Sequence, residues 1–327
     1  MIRRHKLTDP DVRPYTIFVA TIVILAIADA GAGRFVSRAT AFSVAQLFAT
    51  LGPVTLGLAL TMMIREFDIS VAGMFGLAGC VAVLAGVKSP ALGVVLAVCV
   101  GLAGGVIQGL IMVWLRLSSI GVTLGGLLTF GGIAYVLTEN RAISYANMDV
   151  ALAVNEPFFG VFSVRSTIAA VILAVAALVM AHTRLGRDII AMGSDRRATM
   201  IAGVDTDRLL VGVFAVSGML TALSGALLSY SLAAASPSGL SDVLVPAAAA
   251  AILGGVSLGG GTGRPLGIAA GVLILCLLRS GLNALGVSPY VHDIATGTVL
   301  FTVAILDAPA LVRRVTALRL RWREGST

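Results

Sequence analysis

The chain has 327 residues, 58% hydrophobic and 12% charged, with 38 glycines and a mean hydropathy of +1.00. Soluble domains carry roughly 25% charged residues, so this composition excludes a water-soluble enzyme, and its apolarity excludes disorder. The net charge of +7 does not point to nucleic acid, because the basic residues lie at the chain ends and in short breaks between apolar runs. That distribution orients a membrane protein.

Taken in chain order, the uncharged gaps cover 26 residues (39–64), 19 (69–87), 27 (89–115), 22 (117–138), 18 (166–183), 33 (209–241) and 21 (243–263). Each is near the ~20 residues a helix needs to cross the bilayer core. Shorter runs at 14–28, 265–278, 280–292 and 294–306 complete the pattern if Arg279 and Asp293 are tolerated in or beside spans. The predicted fold is an all-α polytopic membrane protein of about ten helices, near 15–31, 41–63, 69–87, 91–115, 120–138, 166–182, 209–232, 243–258, 265–285 and 290–306. A cytoplasmic segment at 1–14 precedes a transmembrane domain at 15–307, and a basic cytoplasmic tail at 308–327 follows it.

With both termini in the cytoplasm, 17 basic residues face inward and five face outward, namely Arg34, Arg38, Lys88, Arg141 and Arg165. The positive-inside rule favours this orientation over its inverse. Tyr15, Trp114, Tyr230 and Tyr290 fall at span ends, where amphipathic rings prefer to sit. Ala28-Asp29-Ala30 mimics a signal-peptide cleavage site, but the remainder of the chain is already polytopic.

Two polar stretches interrupt the spans. An external loop at 139–165 contains Asn140, Tyr145, Asn147, Asn155 and Pro157. The cytoplasmic stretch at 183–208 has helical character between Leu185 and Ala202, flanked by Gly186 and Gly203. It serves either as a solvated connector or as the grip for a cytoplasmic partner.

The chain's two lysines, Lys6 and Lys88, fit no G-x-x-x-x-G-K-[ST] pattern, so no P-loop is present. Cys80, Cys99 and Cys276 lie inside apolar runs, an odd count without metal-binding spacing. Gly255-Val256-Ser257-Leu258-Gly259 fits G-x-S-x-G and invites an intramembrane serine protease with His292 as base. No strand precedes Ser257, and the topology separates the two residues by about the ~30 Å hydrocarbon thickness, against the ~3 Å that proton transfer needs. Small residues recur in Gly101-x-x-Gly104-Gly105-x-x-x-Gly109, Gly121-x-x-x-Gly125 and Gly267-x-x-x-Gly271, as faces for close helix packing or as walls of a pathway.

Four polar residues within the apolar pattern stand out. Asp68 and Ser70 mark a break between the second and third spans, either a turn or a pathway element. Asn283, near the outer end of the ninth span, either meets a solute hydroxyl or caps a neighbouring helix. Arg279 is a cation inside a span, which costs about 2.5–3.5 kcal/mol on insertion scales unless relieved. It either pairs with Asp293 near the outer side, with His292 close by, or snorkels to the headgroups.

Four segments in order resemble the sugar-type branch of the permease subunits of bacterial ABC importers, the group of ribose, xylose, galactoside and autoinducer-2 permeases. Phe67-Asp68-Ile69-Ser70-Val71-Ala72-Gly73 resembles G-I-D-L-S-V-G. Thr183-Arg184-Leu185-Gly186-Arg187 with Ala191-Met192-Gly193 and Ala202-Gly203-Val204 resembles the family's cytoplasmic loop. Gly254 to Gly263 resembles G-G-x-S-L-x-G-G-x-G, and Gly281 to Val287 resembles N-G-L-N-L-L-G-V. The chain departs from the pattern at Asp195-Arg196-Arg197-Ala198-Thr199, where Asn-Glu-x-Ala-Ala is usual, and at Pro246 and Gly131.

The resemblance implies a multi-pass protein of the bacterial inner membrane that carries a small polar, sugar-like solute. It also implies a second permease subunit, cytoplasmic ATPase subunits and an external solute-binding protein. No cofactor is expected on the chain itself, since ATP binds the partner. Asp68, Ser70, Asn283, Arg279 and Asp293 are the candidate pathway residues. Gly186, Arg187, Gly193, Ala198 and Gly203 are candidates for ATPase coupling. The same architecture carrying a nucleoside or a branched-chain amino acid is the alternative.

Overall fold

The computed structural model describes residues 13–29, 33–240 and 242–306, so most of the expected 1–14 segment and the 308–327 tail lie outside the described residues. The chain order is α1 (Arg13–Ala28), α2 (Arg38–Met63), α3 (Val71–Ala85), α4 (Pro90–Leu115), α5 (Ser119–Leu137), β1 (Ile143–Ser144), α6 (Met148–Asn155) and α7 (Val164–His182). It continues with α8 (Arg184–Ser194), α9 (Arg196–Ile201), α10 (Thr206–Ser231), β2 (Ala234–Ala235), α11 (Leu244–Leu253), α12 (Pro265–Ala284) and α13 (Pro289–Leu306). A helix occupies each of the ten apolar intervals. Six of them, α2, α4, α5, α7, α10 and α12, are long and apolar enough to cross a membrane, and α1, α3 and α11 are shorter apolar helices.

Local signals set the helix ends. Ser37, Asn147, Asp195 and Asp205 accept backbone N–H groups as N-caps, and Ser163 and Ser166 form a reciprocal capping box at the start of α7. Pro90 and Pro265 sit at first-turn positions, where the missing N–H costs nothing. Pro53 lies inside α2, and its ring leaves the Ala49 carbonyl without its helical donor. One residue away, the Ser224 hydroxyl of α10 donates to the Thr50 carbonyl at 2.5 Å.

The helices sort into an inner and an outer set. α2, α10 and α12 are 72%, 67% and 61% buried over their apolar windows, whereas α4, α7 and α5 are 33%, 22% and 17% buried. Glycine permits the closest approach. A Cβ on Gly101 would strike the Gly218 carbonyl, and one on Gly105 the Phe214 carbonyl, so the α4 stripe lies directly on the α10 backbone. Gly267 and Gly271 lie in the same way on Gly254 and the Ala250 carbonyl. Gly121 and Gly125 differ: both are exposed on α5, with nothing within 4 Å of an added Cβ.

Between α5 and α7, β1 pairs antiparallel with β2, Ile143 opposite Ala235. The Tyr145 ring stacks on Tyr230 at 4.7 Å, and its hydroxyl donates to the Gly86 carbonyl at 3.0 Å. Burial raises the Tyr145 phenol above its ordinary pKa, so it stays a neutral donor.

Candidate functional site

The break between α2 and α3 is built by a Schellman turn. The Arg65 N–H donates to the Met62 carbonyl at 3.0 Å and the Glu66 N–H to the Thr61 carbonyl at 3.0 Å, with Arg65 at φ 66°. Glycine is usual at that position, since a left-handed residue with a Cβ costs about 1–2 kcal/mol. Beyond the turn the chain dives into the bundle. Asp68 and Ser70 are each only 2% exposed.

The Asp68 carboxylate takes three hydrogen bonds: from the Ser70 N–H at 3.1 Å, the Ser70 hydroxyl at 2.6 Å and the Ser217 hydroxyl of α10 at 2.8 Å. Ser70 Oγ in turn accepts from Gln108 Nε2 of α4 at 3.0 Å. The carboxylate stands at the N-terminus of α3, where the helix dipole favours negative charge. On the other side, Thr123 of α5 donates to the Phe67 carbonyl at 3.2 Å, and a Cβ on Gly73 would meet the Leu127 carbonyl at 2.5 Å. One buried anion therefore ties together the α2–α3 break, α4 and α10, with α5 closing over it.

The stretch at 183–208 is a helix–turn–helix, not the single helix of the sequence reading. It breaks at Asp195, whose carboxylate caps α9 through the Ala198 N–H at 3.0 Å. α8 buries Gly186, Ile189, Met192 and Gly193 along one face. Arg187, Ala198 and Gly203 are exposed, Gly203 at φ 89° where the chain turns toward α10. Gly186 and Gly193 do not face outward. A Cβ on Gly186 would strike the Met180 carbonyl, and one on Gly193 would strike the Met63 carbonyl at the end of α2. Leu185, Met200 and Ile201 form an exposed apolar set among the arginines, Ile201 at 87%.

Ser257 lies in an exposed turn after α11, which ends at Leu253, short of the predicted 258. Its hydroxyl accepts the Gly259 N–H at 3.0 Å, a turn contact that leaves the G-x-S-x-G match without catalytic geometry. The glycine run instead packs on α2 and α8, with the Gly261 N–H donating to the Met63 carbonyl at 2.9 Å.

Toward the opposite end, Arg279 Nη2 donates to Asp293 at 3.1 Å, joining α12 to α13, and the Thr296 hydroxyl donates to the His292 carbonyl at 2.8 Å. His292 Nε2 is buried without a partner among the described residues. Asn283 is exposed near the end of α12.

A cluster that the sequence reading missed surrounds Arg165, in the first turn of α7 and 3% exposed. Its guanidinium donates to Ser231 at 2.6 Å, Thr50 at 2.7 Å and Gln46 Oε1 at 3.3 Å, and Ser231 donates to Asn155 at 2.7 Å. All three acceptors are neutral, and Arg165 Nε and Gln46 Nε2 are buried without partners among the described residues. The signal available in sequence was a lone arginine beside a serine capping box; its partners at 46, 50 and 231 are too remote for any local pattern.

Six long apolar helices among the described residues, around buried polar knots and with an amphipathic hairpin at one end, define a multi-pass membrane protein. Residues 40–304 match the family described as branched-chain amino acid transport system / permease component, and the chain belongs to that family. It is 29% identical over 299 residues to the ribose import permease RbsC of Escherichia coli K12, covering 88% of this chain and 92% of that protein. The autoinducer 2 import system permease LsrC of Photorhabdus luminescens is 30% identical, covering 81% of this chain and 80% of that protein. The ribose import permease RbsC of Bacillus subtilis is 30% identical, with 78% and 80% covered. No solved structure matches. The chain is thus a permease subunit of the sugar-type ABC importers, and is not itself catalytic.

Proposed function

We propose that this chain, with a second permease subunit, forms the path by which a small polar, sugar-like solute crosses the bacterial inner membrane. An external binding protein delivers the solute, and cytoplasmic ATPase subunits supply the energy, so the chain itself needs no cofactor and no nucleic acid. The observation that carries this reading is the likeness to the two ribose permeases and the autoinducer-2 permease over about four fifths of the chain or more. Ten helices cross the bilayer with both termini inside, an arrangement supported by the 17 to 5 division of basic residues.

In this reading the α8–α9 hairpin docks on the ATPase through Arg187, Ala198 and the exposed Leu185, Met200 and Ile201. Gly186 and Gly193 shape it from behind, and Gly203 turns the chain toward α10. The open Gly121 and Gly125 face of α5, continued by Leu128 and Val136, receives the second permease subunit, identical or related. Asp68 and Ser70 brace the pathway wall, since every oxygen they offer is engaged within the protein. Asn283 and the Arg279–Asp293 pair stand toward its outer mouth.

The test is ATP-dependent uptake into vesicles that hold the chain with its ATPase and binding protein. Labelled ribose and other aldoses should accumulate and leucine should not. The family, described by its branched-chain amino acid transport, makes branched-chain amino acids the second reading, and uptake of leucine without any sugar would establish it instead.

A further inference from the structure

The geometry points to Arg65 as a positioning residue that carries movement of the ATPase-docking hairpin into the membrane interior. The inference rests on the proposed docking role of α8 and α9. Arg65 Nε donates to the Gly259 carbonyl at 2.6 Å, and its Nη2 donates to the Ser194 carbonyl at 2.9 Å. One fork therefore joins the end of α2, the last residue of α8 and the glycine loop between α11 and α12. Ser194 contributes one of the carbonyls that a helix end leaves without a donor, and a cation suits that end of the dipole.

The joint is tight where the glycine loop meets Arg65 and α8. A Cβ on Gly260 would strike Arg65 Cγ and come within 2.9 Å of the Gly193 carbonyl, and one on Gly261 would come within 2.5 Å of Ser194 Oγ. The glycine run after α11 is thus the surface against which α8 is clamped. The next residue is engaged as well, because Glu66 lies 3.9 Å from Arg196 of α9, which pairs with Asp207 of α10 at 2.9 Å. Consecutive residues of one turn hold both helices of the hairpin. Three residues beyond Arg65, Asp68 is bonded to α10 and, through Ser70, to α4. A displacement of α8 is transmitted to the buried knot through a segment with no slack.

The side chain also explains why an arginine occupies a left-handed position that favours glycine. Lysine is not equivalent there, because its ammonium cannot span two carbonyls as a planar fork does.

The experiment measures solute uptake and ATP hydrolysis in vesicles with the whole complex, for wild type, Arg65→Ala and Arg65→Lys. Arg65→Ala is expected to keep the ATPase bound and hydrolysis within twofold, while solute carried per ATP falls at least tenfold; Arg65→Lys should fall between the two. Equal loss of hydrolysis and uptake would assign Arg65 to the docking surface and overturn the proposal, as would unchanged uptake per ATP. If Arg65→Ala does not accumulate, Arg65→Lys decides, and wild-type stoichiometry in that variant overturns the proposal. Failure of the wild-type chain to hold any ATPase subunit removes the importer reading itself, a result distinct from every outcome for the variants.

Discussion

Asp68 and Arg165 are buried ions set at different depths against α10, where their partners Ser217 and Ser231 are fourteen residues apart, about 21 Å along the axis. Neither makes a salt bridge among the described residues, and neutral groups hold each through three hydrogen bonds. Burial opposes the charge of both, but the nearby helix ends act in opposite senses. Asp68 faces the N-terminus of α3, which favours an anion, and both its oxygens are engaged. Arg165 sits at the N-terminus of α7, which disfavours a cation, with no acid in that first turn and its Nε unpartnered. One knot is satisfied where it stands. The other is held at a cost, a cation at the unfavourable end of a helix with one N–H lacking an acceptor among the described residues.

The sharpest way to break this contrast is Asp68→Ala, which leaves the hydroxyls of Ser70 and Ser217 without their acceptor. Bonds to a charged group contribute about 1.5–3 kcal/mol each, so a net loss of about 3 kcal/mol is expected after relief of the buried charge. Unfolding in detergent should show it, and a loss below about 1 kcal/mol would mean the knot is not structural. Asp68→Asn should cost less, about 1 kcal/mol, because the Ser217 hydroxyl can turn to accept from the new amide. Gln108→Leu removes a single donor to Ser70, and its Oε1 is already unpartnered, so a cost of about 1 kcal/mol or less is expected.

Arg165→Met carries the smallest expected change in stability. Arg165→Met relieves a buried cation but leaves the acceptors on Gln46, Thr50 and Ser231 without this donor, two effects that oppose each other. Unfolding should shift by less than about 1 kcal/mol or toward greater stability, while uptake falls several-fold. A large loss of stability with full uptake per folded molecule would erase the distinction between the two knots.

Much of the fold was legible because lipid imposes one rule: apolar runs of sufficient length become helices. The gaps between charges therefore marked where helices lie, and the Asp68 break was visible as polarity at an interruption. Glycine spacing was a poorer guide. The same G-x-x-x-G pattern marks Gly105 and Gly109, packed on α10, and Gly121 and Gly125, packed on nothing among the described residues. The hairpin break was readable in principle from Asp195 as an N-cap, but the helical period across it hid the stop. Arg65 and Arg165 were counted only as charges inside and outside. Each acts through residues more than sixty positions away, and no local pattern encodes such partners.

The two-stranded ribbon has a consequence for how the protein is made. β1 leaves the ribosome long before β2, and Asn155 likewise precedes its partner Ser231 by four helices, α7 to α10. Contacts of such separation form only after the intervening chain is in place. The segment from 143 to 155 therefore waits without its β2 and Ser231 partners until α10 has been inserted. Insertion of α10 is the step that sets this segment in place, and a ribosome stalled before residue 234 should leave it open to protease.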